Sequence, residues 1–181
     1  PLMTCGECLD CQGGRSNLCR QRELIGMYLQ GAYAEQVAIS ERNLLAIPDD
    51  MDSVHAALTE PTATALHAIA LAERIAYRPL SEMNALVLGG GAIGLLAALI
   101  LKSKGCAHID LAETNALRRT SIEQQQCANV YDPINEPAPN LGEYDVVFDC
   151  VGSSITRETS SAAVRPGGII SHVGLQNAGD G

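Results

Sequence analysis

Four of the seven cysteines stand at positions 5, 8, 11 and 19, in the spacing C-x2-C-x2-C-x7-C. Thiolates at such intervals on one short loop can reach a single zinc ion at about 2.3 Å in a tetrahedron. Gly6, Gly13 and Gly14 lie among them and let the backbone double back. With four sulfurs no position is left for water, so Cys5, Cys8, Cys11 and Cys19 predict a structural metal site rather than a catalytic one. Two disulfides, or four unrelated thiols, are the competing arrangements, and the spacing speaks against both. Binding an ion there would order a loop that has almost no apolar core of its own.

A second group of residues suits a different ligand. Gly89-Gly90-Gly91-Ala92-Ile93-Gly94 matches G-x-G-x-x-G, follows an apolar run and opens a helical pattern. In that context Gly89 allows the tight turn and Gly91 lets main chain approach a pyrophosphate. Gly94 lets the helix pack on the strand. Ala92 and Ile93 begin the helix, whose free amides favour a phosphate. An acid is then expected at the end of the second strand, about 20 residues on. Glu113 stands 19 residues past Gly94, and its carboxylate can accept from the hydroxyls of an adenosine ribose. The same carboxylate would repel a 2′-phosphate, which favours NAD over NADP. Arg118 and Arg119 pull the other way, since either could accommodate that phosphate or lie against adenine. Glu113 also has a plainer use, as an acid capping the helix that follows. Asp110 is the rival acid but falls inside the strand.

These groups need elements to hold them. Two short strands are predicted over 31–39 and 43–48, the first with Tyr33, Val37 and Ile39 on alternate positions. Ser53 is a candidate cap for a short helix, and Pro61 opens a longer one over 62–73. From about residue 84 strands and helices alternate. Strands are expected at 85–88, 109–113, 129–131, 145–150 and 169–173. Helices are expected at 92–104, 115–126 and 155–164, the last stopped by Pro166-Gly167-Gly168. Such alternation specifies an α/β fold, a doubly wound parallel sheet of the Rossmann type. Cys106, Cys127 and Cys150 fall in this part and read as small buried apolar residues.

Composition narrows the partners. The 181 residues carry 12 basic and 21 acidic side chains, a net charge of −9. That disfavours nucleic acid and anionic membranes. Five Tyr, one Phe and no Trp leave little to stack on bases. The apolar run 95–101 is too short to cross a bilayer. A soluble, cytoplasmic protein with reduced thiols is expected. Both ends of the sequence look cut, the segment 174–181 following a strand with no closing element.

The motif C-G-x-C-x2-C-x2-G-x4-C over Cys5–Cys19 is followed by Gly31-Ala32-Tyr33-Ala34-Glu35, Glu60-Pro61 with Ala65-Leu66-His67-Ala68, Gly89–Gly94, and Asp149-Cys150-Val151-Gly152. Together these resemble the zinc-containing medium-chain alcohol dehydrogenase family, in particular its sorbitol and butanediol dehydrogenase branch. The resemblance implies part of a GroES-like, β-rich catalytic domain over 1–60, carrying the structural zinc lobe. It implies an NAD-binding Rossmann domain over 61–181, truncated at its C-terminus. In the family a catalytic zinc takes a Cys and a Gly-His-Glu motif from chain preceding the lobe, and neither is in this sequence. Glu60 matches the Glu of the Glu-Pro pair that approaches that zinc directly or through water. From residue chemistry alone Glu60 is an acid at a helix N-terminus. The resemblance further implies that Thr64 touches the nicotinamide, and that main chain around Cys150, Val151, Val173 and Gly174 lines the nicotinamide end of the cleft.

The implied reaction is hydride transfer between a secondary alcohol or polyol and NAD, zinc lowering the pKa of the bound alcohol. The family's sixth strand pairs across a dimer, so the intact enzyme is expected to be a homo-oligomer. With the upstream ligands missing, the 181-residue chain by itself is expected not to turn over alcohol. A catalytically inactive remnant, or a module that binds zinc and dinucleotide, is the alternative; a redox-sensing thiolate lobe rests on the four cysteines alone.

Overall fold

The computed structural model describes residues 1–176, so the last five residues of the segment expected to follow the final strand lie outside the described residues. The chain divides into two units, residues 1–57 and 58–181.

The first unit holds little regular structure. Strand β1 (Leu2–Met3) pairs antiparallel with β2 (Glu23–Leu24), Leu2 opposite Leu24. Between them lie helix α1 (Leu9–Gln12) and a 3-10 turn at Ser16–Leu18. Cys19 is the one fully buried apolar side chain among this unit's described residues. A loop so short of apolar burial has little to hold it besides its sulfurs. The strands expected over 31–39 and 43–48 do not form; a 3-10 turn occupies Glu41–Asn43 instead. Alternating apolar residues propose a strand, but a strand exists only with a ladder partner, and Tyr33 is fully exposed. Helix α2 (Ser53–Ala56) is capped by Asp52 rather than Ser53. The Asp52 carboxylate accepts from the Val54 and His55 amides at 2.7 and 3.1 Å, as a charged acceptor at an N-cap should.

The second unit is a five-stranded parallel sheet with the order β5-β4-β3-β6-β7. Helix α3 (Thr59–Ile75) leads into β3 (Asn84–Leu88), α4 (Ala92–Ser103), β4 (His108–Ala112) and α5 (Ala116–Gln125). Strand β5 (Asn129–Tyr131), β6 (Tyr144–Asp149), α6 (Ser154–Ala163) and β7 (Val164–His172) complete it. Every residue of β6 is buried, as expected of a strand covered on both faces. One face packs Val87, Leu111 and Phe148 against α3 and α4 through Ile69, Ala98 and Leu101. The other packs Leu86, Leu88 and Val147 with Ala163 of α6. The chain reverses direction across the sheet at β3. Strands β4 and β5 lie to one side and β6 and β7 to the other, and ligands bind beyond the strand C-termini at such a point.

Pro166-Gly167-Gly168 does not separate α6 from a later strand. Strand β7 begins at Val164, and 165–168 bulge outward between the pairs Tyr144–Val164 and Val146–Ile169. Gly167, at φ +79°, supplies the turn. The bulge delivers Arg165 to the buried Asp145, 3.1 Å away. Asp145 also accepts from the Tyr77 hydroxyl and the Asn84 amide, both at 2.8 Å, and pairs with Arg78. Burial alone would raise its pKa, but the Asn84 amide, Arg78 and Tyr77 outweigh it and hold the carboxyl below its usual range.

Candidate functional site

The four cysteines predicted to share a metal converge. Their sulfurs all lie within 4.8 Å of one another, Cys5 standing 3.9 Å from Cys11 and 3.6 Å from Cys19. A tetrahedron with zinc–sulfur bonds of about 2.3 Å has edges of about 3.8 Å, so the donors present fit zinc in number, type and separation. The loop also turns its amides inward. The Cys8 N–H donates to the Cys5 sulfur at 3.4 Å. Hydrogen bonds from the Glu7 and Cys8 backbone draw the Cys5 thiol down to about 6, while desolvation pushes Cys11 up to about 11. Metal-free, Cys5 and Cys11 therefore do not ionise together, and an ion would have to displace a proton from Cys11. None of the seven cysteines forms a disulfide. Among the described residues no other set of three or more His, Cys, Asp or Glu side chains converges in this way.

The glycine loop sits between β3 and α4, and each glycine meets different surroundings. A Cβ on Gly94 would lie 1.8 Å from the Gly89 carbonyl oxygen. Helix and loop therefore touch main chain to main chain. Gly89 takes φ +91° with Val151 against it, where a Cβ would come within 2.5 Å of a methyl. A Cβ on Gly91 would meet nothing within 4 Å. Gly91 is the N-cap of α4 and no side chain caps that helix, so its first amides are left for water or a ligand.

Beyond the ends of β3, β4 and β6 lies a cavity of about 620 Å³, walled by Gly89, Gly91, Glu113, Arg118, Cys150 and Val151 of the predicted set. Its size is that of a small-molecule site. Glu113 follows β4 directly and is 5% exposed. One carboxylate oxygen accepts from the Gly90 amide at 2.9 Å, tying the acid to the loop; the other accepts from Asn115 at 2.8 Å. The cap of α5 is Asn115, which accepts from the Arg118 amide. The side-chain cap of α5 is thus Asn115, while Glu113 accepts from that residue's own amide. Arg118 stands 3.7 Å from Glu113 and is largely exposed. Arg119 is engaged elsewhere, donating to the Glu113 and Thr114 carbonyls and pairing with Asp132 at 3.1 Å. The Cys150 thiol, half-buried in the cavity wall, is pushed up to about 12, chiefly by burial and then by Asp149.

The remaining predicted residues lie outside the cavity wall. Ala92, Ile93 and Gly94 form the first turn of α4 behind it. Val173 and Gly174 follow β7, their amides both donating to the Asp149 carbonyl at 2.9 Å. Glu60 and Thr64 are exposed in the first turns of α3, where the Thr64 hydroxyl donates to the Glu60 carbonyl at 3.3 Å. Sequence reasoning missed Pro133 and Ile134, and also Ser153, the N-cap of α6, with Thr156 and Thr159 on that helix, which share the wall. The three hydroxyl residues at i, i+3 and i+6 were the available signal.

Two family models match the chain: an alcohol dehydrogenase GroES-like domain over residues 1–49, and a zinc-binding dehydrogenase over residues 92–181. An L-threonine 3-dehydrogenase of Legionella pneumophila is 28% identical over 180 residues, covering 96% of this chain and 51% of that enzyme. A zinc-binding dehydrogenase of Sinorhizobium meliloti, solved bound to NADP, superposes with a TM-score of 0.84 at 31% identity, over 100% of this chain and 54% of that one. An acetophenone reductase of Geotrichum candidum, solved with NAD, gives a TM-score of 0.80 at 26% identity, over 92% and 48%. The chain spans about half the length of the curated relatives it matches. Matched over residues 1–49 and 92–181 by these two models, the chain belongs to the zinc-containing medium-chain alcohol dehydrogenase family.

Proposed function

We propose that this chain is about half of a zinc-dependent NAD(H) dehydrogenase acting on a secondary alcohol or polyol. The observation that carries the reading is the cavity at the sheet's switch point, with Gly91 open toward a ligand and Glu113 bound to the loop beside it. In this reading residues 1–60 are part of the catalytic domain and 61–181 the dinucleotide domain.

Cys5, Cys8, Cys11 and Cys19 hold a structural zinc, which cross-links the lobe. When NAD is bound it supplies the hydride acceptor; the chain's own residues bind and orient it. Gly89, Gly91, Ala92, Ile93 and Gly94 bring main-chain amides to the pyrophosphate. Glu113 exchanges its bond to the Gly90 amide, or adds to it, when it accepts from the ribose hydroxyls. Its charge selects against a 2′-phosphate, and Arg118 lies against the adenine. Cys150, Val151, Val173 and Gly174 line the nicotinamide end, with Thr64 touching the ring. Glu60 belongs to the shell of the catalytic metal in the intact enzyme. The intact enzyme is a cytoplasmic homo-oligomer. No helix among the described residues is long and apolar enough to cross a membrane.

A second reading rests on the two sites the chain itself presents, the converging cysteines and the cavity. The 181 residues alone would then be a module that binds zinc and dinucleotide without turnover. Titration with NADH, followed by its fluorescence, tests what the two readings share, and saturable binding of one equivalent is expected. No binding would sink both. Zinc-dependent oxidation of an alcohol by the pure chain would leave the first reading and remove the second.

A further inference from the structure

The two loops proposed to flank the nicotinamide, after β6 and after β7, are joined by a polar clamp whose arginine none of the motifs includes. Asp149 ends β6 and is fully buried. One of its oxygens accepts from the Val151 and Gly152 amides at 3.0 and 2.9 Å, which fixes the first loop. The other meets Arg157 at 2.8 Å and stands 3.7 Å from His172. Arg157 rises from the first turn of α6, and its second guanidinium nitrogen donates to the Gly174 carbonyl at 2.6 Å. One guanidinium thus bridges a buried carboxylate to the main chain of the second loop.

The loops also meet directly. A Cβ on Gly152 would lie 2.6 Å from the Gly174 carbonyl carbon, and one on Gly174 would lie 2.4 Å from the Val151 carbonyl carbon. Main chain in such contact has no slack for a side chain. Each loop's position is therefore set by the other and by the ion pair between them.

We propose that Arg157, with Asp149, is a positioning residue for the nicotinamide half of the cleft. It touches neither cofactor nor substrate. It holds Val151 and Gly174 in the arrangement the ring requires, so that binding does not first have to order them. The adenosine half depends on other residues, the glycine loop and Glu113. The inference rests on the dinucleotide reading above, and it makes a claim that reading does not. Loss of the clamp weakens recognition of the nicotinamide and spares that of the adenosine diphosphate.

The test compares two probes on the full chain, NADH and ADP-ribose, which lacks the nicotinamide ring. For Arg157→Ala the expected result is about a tenfold loss in NADH affinity, the scale of one charge-assisted hydrogen bond. ADP-ribose affinity should stay within about twofold. Arg157→Lys keeps a charge for Asp149 but not the fork that also reaches Gly174, so it should lie between parent and Arg157→Ala. Retained ADP-ribose binding is the control for folding. Equal losses for both probes in both variants would overturn the inference while leaving the dinucleotide reading intact. Failure of the unsubstituted chain to bind either probe would remove the reading and the inference with it. If Arg157→Ala does not fold, Arg157→Lys decides the matter by the same ratio.

Discussion

Replacing Gly94 and Gly91 by alanine, one at a time, should separate two reasons for a glycine in one loop. At Gly94 the new methyl would start 1.8 Å from the Gly89 carbonyl oxygen and 3.3 Å from a Val87 methyl. Carbon and carbonyl oxygen settle at about 3.3 Å, so about 1.5 Å of separation must be found. The obstacle is main chain, and Gly89 is already committed to φ +91°, so no rotamer relieves it. Alanine in place of a helical glycine ordinarily gains about 1 kcal/mol. Overpacking of this kind costs about 1–3 kcal/mol, and an immovable neighbour puts Gly94→Ala at the upper end. The net expectation is a loss of about 2 kcal/mol, a fall of about 7 °C in melting temperature for a unit of this size. NADH binding should be lost along with it. Gly91 is different in kind. Its φ of −68° and ψ of −171° suit any residue, and its added methyl meets open space. Gly91→Ala should melt within about 2 °C of the parent yet bind NADH at least about tenfold more weakly, because the methyl occupies the approach to the pyrophosphate. Thermal unfolding by circular dichroism and NADH fluorescence titration read both. If Gly91→Ala binds NADH as the parent does, the ligand is not held where the cavity suggests. If Gly94→Ala melts as the parent does, the helix has room to move and the contact argument is wrong.

Metal analysis should find one zinc per chain, lost on Cys11→Ser; two per chain would mean that a second ligand set exists. Because Cys5 ionises near 6 and Cys11 near 11 without metal, fewer protons are displaced as pH rises, and apparent zinc affinity measured against a competing chelator should climb from pH 6 to pH 8. Asp145→Asn should cost about 3 kcal/mol in urea unfolding at pH 7, since it leaves Arg78 and Arg165 facing a neutral group. The folded pKa of Asp145 is depressed, so its contribution is complete above the unfolded value of about 3.9 and fades as pH falls through the folded one. The gap between parent and Asp145→Asn should therefore narrow in acid, and a gap independent of pH would refute the assignment. Glu113→Gln should weaken NADH by about tenfold and narrow its advantage over NADPH; a parent that prefers NADPH would show that Arg118 outweighs the acid.

Much of the second unit can be read directly from residue order. Apolar runs such as 85–88 and 146–148 are too short for helices and are spaced by helical patterns, and four of the five strands lie where alternation puts them, while β7 starts early, at Val164. The cysteine spacing and the glycine loop are similarly local, because their geometry is carried by neighbours in sequence. What could not be read depends on the fold having formed. The segment 31–39 has the right alternation and no partner. Asp110 looks like a misplaced acid in an apolar strand. It is fully buried, and its oxygens accept from Tyr144 at 2.6 Å, Asn129 at 2.8 Å and Asn140 at 3.1 Å, with His108 at 3.1 Å. Three of those partners lie 19 to 34 residues away, and only a parallel sheet brings them together. Arg157 is hidden in the same way, eight residues past Asp149 in sequence and legible only when β7 has brought Gly174 alongside.

The two halves of the proposed cleft differ in what fixes them, and this has a consequence for how affinity and chemistry would divide. On the proposed adenosine side, backbone meets backbone. Gly94 rests on Gly89, and the Gly90 amide is held by Glu113. Contacts of this kind persist while the sheet persists, and they yield only to changes that unfold it. On the proposed nicotinamide side main chain also meets main chain, at Gly152 and Gly174, but a buried ion pair and its contact with the Gly174 carbonyl add a side-chain link between the two loops. An ion pair can be altered by one side chain without loss of the sheet. Changes near Arg157 should therefore tune where the ring sits, while changes near Gly94 should lower the stability of the whole unit. Hydride transfer is steep in distance and orientation and tolerates little misplacement. In the proposed enzyme, a reacting half adjustable apart from the binding half would let the ring be repositioned without remaking the phosphate loop.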